Sequence, residues 1–138
     1  MESDRYPLED ESIDLVISLA VIEHIENIDN YLNEIMRVLV KGGTVYVTTP
    51  NFKYCYDNFY DDPTHVRPFT EISLEKNFSM YSYKNIRLYP GLRCKPIYMY
   101  KQKNAFWRAA HIPFIKKNKF IPEFLSGRAT SVILLAQK

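Results

Sequence analysis

The stretch that decides the fold is Asp14-Leu-Val-Ile-Ser-Leu-Ala-Val-Ile-Glu-His-Ile-Glu26, with its continuation Arg37-Val-Leu-Val-Lys-Gly-Gly-Thr-Val-Tyr-Val-Thr-Thr-Pro-Asn51. Ile13 to Leu19 is a short, nearly continuous apolar run rich in β-branched residues, the pattern of a strand buried on both faces in a parallel sheet. Between the two quoted segments, Ile28, Tyr31, Leu32, Ile35, Met36 and Leu39 recur at helical spacing. They predict an amphipathic helix laid on one sheet face, capped by Asn27 or Asp29. Gly42-Gly43 is read as the helix terminator, one glycine adopting the left-handed cap conformation. Thr44 to Thr49 is the next strand, closed by Pro50. Strand, helix and strand at this spacing form a βαβ unit with parallel strands.

Outward from this unit the reading is coarser. Residues 1–12 are a polar loop containing Glu9-Asp10-Glu11. Residues 51–69 form a long aromatic and acidic loop, and structureless loops of that length in compact domains are usually functional. Thr70 is placed as the cap of a short helix running to about Phe78. Tyr83 to Tyr89 is a strand ending at Pro90-Gly91, and Thr130 to Ala136 is a terminal strand. The chain of 138 residues is of single-domain size. It divides into a βαβ core with its loop over 1–92, a basic aromatic insertion over 93–125, and a terminal strand over 126–138.

Charge is unevenly spread. Residues 1–34 hold ten acids and one base, whereas residues 93–119 hold eight bases and no acid. That asymmetry marks the second segment as anion-facing. Its mixture of lysines with Phe106, Trp107, Phe114 and Ile115 suits peripheral membrane contact through 95–124, or an anionic lipid or glycan acceptor. Nucleic acid is the less favoured partner, and the bland alternative is a solvated lid packed on the sheet. Cys55 and Cys94 lack metal-ligand spacing and read as two reduced thiols; no metal site is expected. No secretory signal follows the charged start, and no apolar run reaches bilayer-spanning length. The expectation is a cytoplasmic protein, at most peripheral to a membrane.

These segments resemble the middle of a class I S-adenosylmethionine-dependent methyltransferase of the small-molecule type. The family's LPFxDxSFD block is matched by Tyr6-Pro-Leu-Glu-Asp-Glu-Ser-Ile-Asp14, its LEH by Ile22-Glu23-His24, and its LKPGG turn by Leu39-Val-Lys-Gly-Gly43. Its HxRxF[ST] segment is matched by His65-Val-Arg-Pro-Phe-Thr70. The resemblance implies an α/β, Rossmann-like methyltransferase sheet and S-adenosylmethionine as cofactor. It covers roughly residues 2–90 and the last strand. The GxGxG turn with which the family begins occurs nowhere among the four glycines of this sequence. The expectation is therefore a fragment lacking the N-terminal strands, with its first strand left as an apolar edge. Self-association or a partner would cover that edge.

In open α/β sheets, ligands bind beyond the carboxyl ends of the strands. By the resemblance, Leu19, Ala20 and Val21 line the cofactor there, and Glu2 or Asp4 holds the adenine. His24 and His65 are the candidate proton acceptors, a role suited to a near-neutral pKa. For each, a structural role is the competing reading: His24 bonding backbone at the strand–helix junction, His65 paired with Asp61 or Asp62. Arg67 is a candidate for a substrate anion or for those same aspartates. Phe52 and Trp107 complete the candidate substrate-binding set. The activity implied is methyl transfer to a small-molecule, lipid or glycan acceptor, absent from so truncated a chain. The alternative is a non-catalytic binding or scaffold subunit that uses the basic segment to hold a partner or membrane.

Overall fold

The computed structural model describes residues 5–91 and 130–138. The basic segment and the terminus holding Glu2 and Asp4 lie outside the described residues. Four strands form one sheet in the order β1-β2-β4-β3, with β1 Ile13–Leu19, β2 Leu39–Pro50, β3 Lys84–Gly91 and β4 Ser131–Gln137. β1 and β2 are parallel, joined through α1 (Ile28–Val38), as the βαβ reading requires. β4 pairs antiparallel with both β2 and β3, so the sheet is mixed.

The core lies on one sheet face. Val45, Val47, Val132, Leu134 and Ala136 alternate along β2 and β4 and are buried in one cluster with Leu32 and Ile35 of α1. Leu74 and Phe78 of α3 (Glu71–Met80) complete that cluster. Helix α1 starts where the Asn27 side chain accepts from the Asn30 N–H at 3.0 Å, which settles the cap in favour of Asn27. Thr70 caps α3 in a reciprocal pair with Ser73, satisfying two backbone donors at once.

Three expectations are corrected. The glycines do not end α1. The helix stops at Val38 because Leu39 is already extended, and Gly42-Gly43 lie inside β2. There Gly42 N–H donates to the Lys138 carbonyl and Lys138 N–H donates to Gly43, so sheet pairing, not helix capping, sets their conformation. Gly42 has φ +79°, and a Cβ on Gly43 would sit 2.9 Å from the Val40 oxygen and 3.2 Å from that of Asp14. Only glycine fits the bulge where β1 and β2 slip register. Secondly, the apolar run of β1 does not mark burial on both faces; β1 is the apolar edge also expected. It is a sheet edge among the described residues, and Leu15, Ile17 and Leu19 are 51%, 60% and 58% exposed. Thirdly, the 51–69 segment contains two short helical pieces, α2 (Phe52–Cys55) and a 3₁₀ turn at Phe59–Asp61.

Residues 6–10 are clamped to α1 by Arg37. Its guanidinium binds both oxygens of Glu34, each at 2.8 Å. It also donates to the carbonyls of Leu8 and Tyr6 and to Asp10. The fork geometry of arginine suits this bidentate grip. The Arg37 hydrogen bond holds the Glu34 carboxyl well below its ordinary 4.5, at about 2. Asp10 is lowered chiefly by the same guanidinium. Because the folded pKa is depressed, this contribution to stability is present above pH 4.5 and is lost as pH falls towards about 2. Arg37→Met is expected to lower the melting temperature by several degrees near neutrality and to flatten its fall across that acid window. Thermal melts at a series of pH values check this; parallel curves for the two proteins would refute it.

Candidate functional site at the carboxyl ends of β1 and β2

After Leu19 the chain leaves the sheet abruptly. Ala20 has φ +51°, a left-handed conformation that costs a non-glycine residue about 1–2 kcal/mol. It is held there by its N–H, which donates to the Thr48 carbonyl at 2.9 Å and to the Thr48 hydroxyl at 3.2 Å. Strain of this kind clusters at functional sites. The turn leaves Leu19, Ala20 and Val21 exposed as a ledge beyond the end of β1. A 3₁₀ turn at Ile22–His24 then drives Ile22 and Glu23 into the interior, both fully buried.

Glu23 anchors the loop that closes over this turn. Its backbone carbonyl accepts from the N–H groups of Val66 and Arg67, at 2.9 and 3.0 Å. This draws the far end of the 51–69 segment back towards β1. Its Oε2 accepts from the Thr49 hydroxyl at 2.9 Å, while its buried Oε1 has no hydrogen-bond partner among the described residues. Asn51, fully buried at the end of β2, ties down the near end. Its amide donates to Glu71 at 2.8 Å, and it bridges to Phe69. The Cys55 thiol donates to its carbonyl.

These ties bring His24 and His65, far apart in sequence, to a ring separation of 4.8 Å. The Thr64 hydroxyl donates to Asp62 at 2.6 Å, so its oxygen accepts from His24 Nδ1 at 2.9 Å. The Thr64 carbonyl accepts from the same nitrogen at 3.1 Å. His65 Nδ1 donates to the Phe59 carbonyl at 2.6 Å, with its ring stacked on Phe59. Each histidine thus donates from Nδ1, and its Nε2 has no hydrogen-bond partner among the described residues. Bonds from Thr64 hold the Asp62 carboxyl below its usual value. Asp62 Oδ2 is 3.9 Å from His65 Nε2, beyond hydrogen-bonding reach.

The sequence-read residues therefore separate. Leu19, Ala20 and Val21 form the ledge, and His24 and His65 meet beside it. Phe52 packs edge-on against Phe59 and Tyr60. Arg67 binds neither Asp61 nor Asp62; its Nη2 donates to the Glu26 carbonyl at 3.2 Å, and its buried Nε has no partner among the described residues. Glu2, Asp4 and Trp107 lie outside the described residues. The sequence reading missed Thr49, Asn51 and Thr64, short polar residues whose roles exist only once β2 and the loop are in place. Glu23 is visible in the LEH match, but nothing local announces its burial.

Residues 1–47 match the family model described as a methyltransferase domain. Over 45 residues the chain is 44% identical to a protein of Mycolicibacterium smegmatis named a probable S-adenosylmethionine-dependent methyltransferase, covering 33% of this chain and 18% of that protein. A solved S-adenosylmethionine-dependent methyltransferase from Archaeoglobus fulgidus superposes over 95% of the chain and 62% of its own length, at TM-score 0.64 and 19% identity. A Haemonchus contortus phosphoethanolamine N-methyltransferase, solved with S-adenosylhomocysteine, aligns over 96% of this chain and 35% of its own, at TM-score 0.57 and 14% identity. The chain thus spans under a fifth of the curated relative and about three fifths of the archaeal structure. Among the described residues no helix is long and apolar enough to cross a membrane. Over residues 1–47 the sequence is similar to a methyltransferase domain, and the chain shares the α/β, Rossmann-like fold of solved S-adenosylmethionine-dependent methyltransferases.

Proposed function

We propose that the ledge Leu19–Val21 and the histidine pair beside it belong to a site for S-adenosylmethionine-dependent methyl transfer to a small-molecule, lipid or glycan acceptor. The observation that carries the reading is the strained Ala20 turn, which leaves Leu19, Ala20 and Val21 exposed at the end of β1, three residues before His24 and its partner ring His65. When bound, S-adenosylmethionine supplies a methyl group already activated on a sulfonium. What remains for the protein is alignment of the acceptor and, for a hydroxyl, acceptance of its proton. The free Nε2 lone pairs of His24 and His65 suit that second task. The described residues fit one wall of such a site: the ledge is apolar, uncharged and open.

Calorimetric titration of the chain with S-adenosylhomocysteine tests this reading. Binding is expected to be weak, because none of the four glycines forms the GxGxG turn that grips the cofactor in the family. Saturable heat that Ala20→Glu abolishes would support the enzyme reading, since a long charged side chain on the ledge fills the cofactor's place. A folded sample giving no heat at all would mean an incomplete enzyme or the scaffold alternative.

A further inference from the structure

We propose that Glu23, His24 and His65 form a binding site for a first-row divalent transition-metal ion. One donor atom from each residue lies within 4.8 Å of one from each of the others. Two ligands each about 2.0–2.2 Å from a common ion stand at most about 4.4 Å apart. Around a tetrahedral ion the same bond lengths put ligand atoms about 3.3–3.6 Å apart, so side-chain rotations that bring the widest pair together by a little over about 1 Å close the site.

Three independent features point to a cation. Glu23 is fully buried, yet its Oε1 has no hydrogen-bond partner among the described residues. A buried carboxylate oxygen without a donor is costly unless a positive charge faces it. Both imidazoles commit Nδ1–H to oxygen acceptors, Thr64 for His24 and the Phe59 carbonyl for His65. This is the outer-shell arrangement that fixes a ligating histidine's tautomer and turns its Nε2 lone pair towards a metal. Finally, neither Nε2 makes a hydrogen bond among the described residues, and Asp62 Oδ2 stands off at 3.9 Å from His65 Nε2.

The donor set defines the ion. Two imidazoles and one carboxylate favour zinc, cobalt, iron or manganese over the hard, oxygen-seeking calcium and magnesium. Three protein ligands leave coordination positions open to a further oxygen ligand. On the methyl-transfer reading, an acceptor hydroxyl would occupy such a position and be acidified by the ion instead of by a free imidazole. The site itself does not rest on that reading, and its test requires no turnover.

Cobalt(II) is the probe, added to the chelator-treated chain and followed by visible absorption and calorimetry. One equivalent is expected to bind at micromolar concentration or tighter and to be displaced by zinc. His24→Ala and His65→Ala should each weaken binding at least about tenfold. The wild-type imidazole nitrogens, followed by NMR, should show both protons on Nδ1 and a zinc-induced shift at both Nε2 atoms. That readout needs no variant and so survives a substitution that fails to fold. Absence of saturable cobalt binding, or binding indifferent to both histidines, would overturn the site and leave the Glu23 oxygen to a buried water.

Discussion

Phe78→Ala is expected to remove about 3–5 kcal/mol of stability, a large share of the roughly 5–15 kcal/mol typical of a small domain. Phe78 is fully buried in the last turn of α3 and packs on Tyr83 with ring centres 4.9 Å apart. The Tyr83 hydroxyl in turn donates to the Leu32 carbonyl of α1 at 2.9 Å. One side chain therefore holds α3, the start of β3 and the far helix together. Burial pushes the hydroxyls of both Tyr31 and Tyr83 upward in pKa, as expected of an interior with little water. Truncation leaves a cavity at this junction that a helix pinned by the Thr70 cap cannot collapse to fill. Ile72, on the same helix but 66% exposed, is the control: Ile72→Ala should stay within about 0.5 kcal/mol of the parent. Urea unfolding followed by circular dichroism measures both. Equal effects at the two positions would mean that the core does not lie where the fold places it.

A second large effect is expected at the buried pair of Thr49 and Glu23. Thr49→Val keeps the shape of the side chain but deletes the one side-chain donor that a fully buried carboxylate has among the described residues. Bonds to charged groups contribute about 1.5–3 kcal/mol, and the abandoned charge adds its own penalty. A loss of about 2–3 kcal/mol is therefore expected in metal-free protein. Glu23→Leu alone leaves the Thr49 hydroxyl unsatisfied but also removes the orphan Oε1, so its effect should be smaller. The double variant Thr49→Val/Glu23→Leu should recover most of the loss, since replacing both partners by apolar groups is often nearly neutral. The backbone carbonyl of residue 23 would still anchor Val66 and Arg67. Strict additivity in this cycle, measured by urea unfolding, would show that the two side chains are not coupled.

The legible parts of the fold are those written in local periodicity. The apolar run of β1, the helical spacing of α1, and the caps at Asn27 and Thr70 are decided by a few neighbouring residues, and each element stands where its pattern puts it. Strand order is not legible. Nothing local in Thr-Ser-Val-Ile-Leu-Leu-Ala says that β4 inserts between β2 and β3. The glycine pair misleads for the same reason, because its conformation answers to Lys138, which sits beside it only in the sheet. At the site, the two histidines are each visible as chemistry. Their meeting is not, since it depends on the Glu23 carbonyl capturing the loop from the other side.

The placement of β4 also bears on how the chain comes into being. Residues 44–50 of β2 find their antiparallel neighbour only in residues 131–137, and β3 pairs with that same strand. On a ribosome, the βαβ unit can form early, from contacts close in sequence. The middle of the sheet cannot close until the strand at residues 131–137 has left the exit tunnel. Until then, among the described residues, one edge of β2 stays bare and β3 has no strand to pair with, both open to chaperones, to proteases and to one another. The slow event in this protein's birth should therefore be the arrival of one short strand, and a stop codon just before residue 131 should leave the sheet unclosed.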